Sequence, residues 1–104
     1  METLNIRFMP ALGYYTNVHN TALVILQLKG YRVWRDRDTD HLCAEKEGWD
    51  FMADDPVQLL GLVAIHEVQQ PASFREYWWK IDKPWLLDAV PETPPDYTPV
   101  WERK

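Results

Sequence analysis

Glycine, serine and cysteine are scarce in this 104-residue chain, which holds four, one and one of them. With so few glycines there is no Gly-rich phosphate loop, dinucleotide fingerprint or nucleophile elbow, each of which needs glycine where backbone approaches a ligand or turns sharply. Ser73 is the only serine. A lone Cys43 cannot form an internal disulfide, which suits a reducing compartment, and its acidic neighbours disfavour the thiolate a catalytic cysteine needs. No run approaches the ~18 uninterrupted apolar residues of a membrane span. The opening residues, Met1 to Phe8, lack a basic segment followed by an apolar one, so the chain reads as cytoplasmic.

Basic residues are also in the minority, eleven against sixteen acids, and the net charge is −5. The imbalance is local. Asp36, Asp38, Asp40, Glu45, Glu47, Asp50, Asp54 and Asp55 fall within twenty residues, offset there only by Arg37 and Lys46. Such a stretch repels phosphate backbones and attracts basic proteins, which disfavours nucleic acid as a partner. Its plainer reading is a solvated hairpin. Hydrophobic residues at 46% and charged residues at 26% place the chain among globular domains able to fold alone.

The apolar pattern divides the chain into short elements. Leu4, Ile6 and Phe8 alternate with polar residues, as in a brief strand or extended arm ending at Pro10. From Tyr15 to Lys29, Val18, Ala22, Ile25 and Leu26 recur at helical steps, with Thr16 or Asn17 as N-cap and Gly30 as the stop. Three antiparallel strands follow, at Tyr31–Asp36, His41–Lys46 and Trp49–Ala53, separated by a polar turn and by Gly48. Asp55, Pro56 and Gln58 supply an N-cap, a first helical residue and a capping box for a second helix. Leu59, Leu60, Leu62, Val63 and Ile65 make that helix apolar over most of its circumference, so burial is expected, and Gly61 within it implies close packing against a neighbour. The run Tyr77-Trp78-Trp79 suits a fourth strand, although Ser73 and Glu76 also resemble a capping box. Pro91, Pro94, Pro95 and Pro99 mark an extended tail. The expected architecture is α+β: a short antiparallel β-meander packed against two helices in a single domain over 1–90, with an extended Pro-rich C-terminal tail over 91–104.

Few constellations point to chemistry. Asp36-x-Asp38-x-Asp40 with Glu47 at the twelfth position matches the carboxylate spacing of an EF-hand loop. His41 stands where that loop needs glycine, and the flanks read as strands, so no calcium site is assigned. His19, His41, Cys43 and His66 make no metal clamp, since no two are spaced as CxxC or HxxxH. Neither a cofactor nor a catalytic residue is assigned. The rival reading is a small enzyme or ligand-binding module using His41 and His66 in a pocket between sheet and helix.

Aromatic residues are the excess. Of six tryptophans, Trp78, Trp79, Trp85 and Trp101 lie in the last 27 residues, more than a core of this size readily buries. Exposed aromatics beside an acidic hairpin form a plausible protein-binding surface. The candidate contact residues are Trp34, Asp36, Asp38, Asp40, Glu45, Glu47, Trp79 and Trp85. Their plainer reading is core completion by some of the aromatics, and a homodimer is the alternative to a foreign partner.

The run from Asn17 through Lys29-Gly30-Tyr31 to Trp34, and the later run from Phe51 through Ala53-Asp54-Asp55-Pro56 and Leu59-Leu60-Gly61-Leu62 to Glu67, resemble small bacterial toxin-immunity proteins over about residues 17–80. The resemblance implies a single-domain inhibitor that neutralises a cognate secreted protein toxin by covering its active site or blocking its maturation; the acidic stretch Asp36 to Asp55 would steer a basic toxin domain. The matching residues are caps and core positions, so they carry the fold more than the function.

Overall fold

A computed structural model describes residues 10–103; the arm expected at Leu4–Phe8 lies outside the described residues. Residues 15–81 form one compact unit, and residues 10–14 and 82–103 belong to a second. The first unit runs α1 (Val18–Leu28), β1 (Arg32–Arg35), β2 (Leu42–Lys46), β3 (Trp49–Ala53), α2 (Pro56–Gln69). The strands form an antiparallel sheet in the order β1-β2-β3, and the fold is α+β as the periodicity predicts. Both helices pack on the sheet and on each other.

Local chemistry explains each boundary. Asn17 is the N-cap of α1 but its side chain makes no capping bond. The other end is tightly made: Gly30, at φ 93°, lets its own N–H donate to Gln27 and the Tyr31 N–H to Leu26, a Schellman stop. Leu26 and Tyr31 both enter the core, so this turn is sealed by apolar contact. Lys46 Nζ donates to the Lys29 carbonyl at 2.7 Å and lies 5.6 Å from the Tyr31 ring centroid, adding a cation at the helix's negative end. Between β2 and β3 the chain turns on Glu47 and Gly48, whose φ values of 53° and 87° suit the two-residue turn that matches strand twist. Asp55 caps α2 by accepting the Gln58 N–H at 2.8 Å, with Pro56 at the first position. The Gln58 side chain returns the bond one residue further back than in a capping box, to the Asp54 N–H at 3.0 Å.

The core is small: Leu26, Tyr31, Ala44, Phe51, Leu59 and Val63, flanked by partly buried Val33, Leu42, Trp49 and Trp78 among others. Three expectations need correction. The stretch Tyr77–Trp79 is no fourth strand but a turn, with Tyr77 at φ 61° and the Gln69 amide donating to the carbonyls of Trp79 and Lys80. Trp78 is held by rings instead of a ladder, its centroid 5.4 Å from Trp49 and 5.5 Å from His66. Helix α2 is only half covered, because a three-stranded sheet and one neighbouring helix shield one side of it: Leu59 and Val63 are fully buried, while Ile65 and Val68 are exposed. Gly61 is on the exposed side, with nothing within 4 Å of where a Cβ would sit, so it admits no close neighbour among the described residues.

In the second unit, residues 82–103 carry two single-turn 3₁₀ helices at Leu87–Ala89 and Val100–Glu102 and no other regular structure. Trp85, Leu86, Leu87, Tyr97 and Trp101 there are all exposed.

Candidate functional site

The strand register sorts side chains onto two faces. Val33, Ala44 and Phe51 stand in one cross-strand row and face the helices. By alternation Trp34, Cys43 and Met52 form a row on the opposite face, with Arg32, Glu45 and Asp50 as its neighbour. Since both helices lie on the same side, no described element of the first unit covers this second face, the open face. Trp34 is 45% and Met52 50% exposed, whereas Cys43 between them is only 5% exposed. Trp34, Asp36, Cys43, Asp50 and Met52 line a hollow of about 280 Å³ there. Burial, then the charges of Asp36 and Asp50, push the Cys43 thiol up, which makes it a poor nucleophile.

The sequence-predicted contact residues do not gather in one place. Trp34 and Asp36 share the hollow. Asp36 Oδ2 also accepts the Thr39 N–H at 2.9 Å and hydroxyl at 2.6 Å, bonds that hold its carboxyl below its ordinary value. Asp38 and Asp40 sit in the exposed turn beyond β1, where Asp40 lies 3.5 Å from Arg35. Glu45 is on the open face but is engaged within the domain: one oxygen accepts Arg32 Nε and Nη2 at 2.8 and 2.6 Å, the other the Gly48 N–H at 2.9 Å. The Gly48 bond, then Arg32, lowers its pKa. Glu47 lies in the hairpin turn, at the far end of β2 from Asp36–Asp40, roughly 17 Å away at ~3.4 Å per residue. A twelve-residue spacing that includes a strand cannot wrap one ion, and among the described residues no three His, Cys, Asp or Glu side chains converge as metal ligands.

The two histidines are also apart. His41 Nε2 lies 3.2 Å from Asp54 Oδ1, beyond the last residue of β3. His66 packs against Trp49, the first residue of β3, at 4.8 Å between centroids, and against Phe51 and Trp78. Its Nε2 is buried without a hydrogen-bond partner. Nothing in this arrangement brings the two imidazoles to one substrate.

Trp79 belongs to a different feature that sequence reading missed. Asp50, Phe51, Leu62, Ile65, Trp78 and Trp79 line a cavity of about 500 Å³ between β3, α2 and the aromatic turn. Two signals for it were in the chain: the Trp78-Trp79 pair and the apolar step Leu62–Ile65 on α2. Trp85 lies in the second unit. No helix among the described residues is long and apolar enough to cross a membrane. No protein-family model, curated protein or solved structure matches this chain.

Proposed function

We propose that this protein is a non-catalytic protein-binding module of the immunity type, which neutralises a basic protein toxin through the open face of its sheet. The observation that carries the reading is the Trp34–Cys43–Met52 row: two large, half-exposed apolar side chains on a hydrogen-bonded sheet, flanked by Asp36, Asp50, Arg32 and Glu45. An aromatic and a methionine surrounded by charge is the composition of an interface centre with its polar rim. The resemblance over residues 17–80 supports the inhibitor class, and the acidic turn at Asp38 and Asp40 would steer a basic partner. A reducing cytoplasm suits the unpaired Cys43 within that row.

The test is affinity capture from the source organism on immobilised wild type and on a Trp34→Ala/Met52→Ala variant, at low and moderate salt. A stoichiometric partner that the variant fails to hold, and whose toxicity the wild type suppresses on co-expression, is the expected outcome. Equal recovery by both, or a concentration-dependent homodimer as the sole complex, would remove the open face from the mechanism.

A further inference from the structure

We infer that the free edge of β3 and the cavity beside it form a docking groove for an extended segment of a partner protein, in which a basic residue alternates with an apolar one. The hairpin geometry sets which backbone groups are available. In a two-residue hairpin the pair flanking the turn, here Lys46 and Trp49, exchanges hydrogen bonds, and hydrogen-bonded and non-hydrogen-bonded pairs then alternate. Phe51 and Ala53 therefore bond to β2, while the N–H and C=O groups of Asp50 and Met52 point away from it. Because β3 is the last strand of the sheet, those four groups have no ladder partner among the described residues.

The same alternation places the side chains of an added strand. Residues opposite Asp50 and Met52 receive the backbone bonds and project onto the open face. The residue between them, opposite Phe51, projects to the helix side, into the cavity lined by Leu62, Ile65, Trp78 and Trp79. That cavity, of about 500 Å³, takes an apolar side chain. Next to it along β3, on the open face, stands the exposed Asp50 carboxylate, which among the described residues accepts no hydrogen bond and has no salt-bridge partner. A lysine or arginine opposite it projects to the same face and completes the ion pair. The chain's net charge of −5 favours approach of such a segment.

Only the premise that the occupant is protein is shared with the function proposed above, and the test needs no natural partner. The probe is a short N-acetylated peptide of alternating arginine and valine, titrated into the full chain while tryptophan fluorescence and backbone amide NMR shifts are followed. Shifts should centre on Asp50, Phe51, Met52 and the Trp78 and Trp79 indoles. N-methylation of the arginines, whose N–H groups face β3, should weaken binding at least about tenfold, whereas N-methylation of the valines leaves it unchanged. Glutamate in place of arginine should abolish binding, and Asp50→Asn should raise Kd about threefold. Equal affinity for the two N-methylated peptides, or shifts confined to Trp34 and Cys43, would overturn strand addition while leaving the open face intact as a docking surface. Failure of the capture experiment alone would overturn the open face and leave the groove standing.

Discussion

Replacing Gly61 by alanine should stabilise the first unit. Gly61 lies well inside α2, a glycine there is ~0.8–1.0 kcal/mol less favourable than alanine, and most of that difference is backbone freedom held by the unfolded chain. Whether the gain is realised depends on what the added methyl meets. It meets nothing within 4 Å, so no clash subtracts from the gain, and on an exposed position little apolar burial adds to it. The net expectation is about 0.8 kcal/mol, which in a domain of this size raises Tm by about 3–6 °C. Gly48→Ala supplies the opposite sign on the same assay: at φ 87° an added Cβ is strained, at a cost of about 1–2 kcal/mol. Urea unfolding followed by tryptophan fluorescence measures both, and an unchanged m-value confirms that the same surface is exposed. A lowered midpoint for Gly61→Ala would refute the reasoning, because it would mean that another surface closes on the helix at Gly61.

Glu45 predicts a pH signature. Its folded pKa is lowered by the Gly48 N–H and Arg32, so its contribution is complete above the unfolded value of ~4.3 and is lost as pH falls through the lower folded value. Glu45→Gln should therefore be less stable than wild type at neutral pH, with the gap closing in acid; a gap constant from neutral pH into strong acid would exclude the bonded carboxylate as its source. His66→Phe should leave stability equal or raise it by up to about 1–3 kcal/mol, because the imidazole Nε2 is buried without a partner among Trp49, Phe51 and Trp78. Destabilisation in thermal unfolding would show that Nε2 does have a partner in solution.

The elements most legible in the sequence are those whose boundaries are set by neighbours along the chain. Gly30 after α1, Gly48 in the hairpin and Asp55-Pro56 before α2 each act within four residues, and each does what its chemistry requires. The reading failed where the deciding contact is remote. Tyr77-Trp78-Trp79 has strand composition, yet Trp78 is placed by His66 and Trp49, which no local pattern identifies as its partners. The apolar circumference of α2 suggested burial, but how much of a helix is covered depends on how many elements surround it, and here one side is left to solvent. The candidate contacts divide similarly. Acidity alone selected Glu45, which serves the hairpin and Arg32, and passed over Asp50, which is bonded to nothing among the described residues.

That contrast between two carboxylates of one cross-strand pair carries the functional argument furthest. Glu45 and Asp50 are directly opposite each other on the open face. Two like charges so placed destabilise a sheet unless something neutralises them. Arg32 and the Gly48 amide neutralise Glu45, and Asp50 is left as the one of the pair whose charge has no local answer. It is also where the two proposed surfaces meet: its side chain belongs to the open face with Trp34 and Met52, and its backbone belongs to the unpaired edge beside Trp78 and Trp79. On the proposed reading, a cation supplied from outside would answer the Asp50 charge on docking, so binding of a basic partner would stabilise the sheet through this residue.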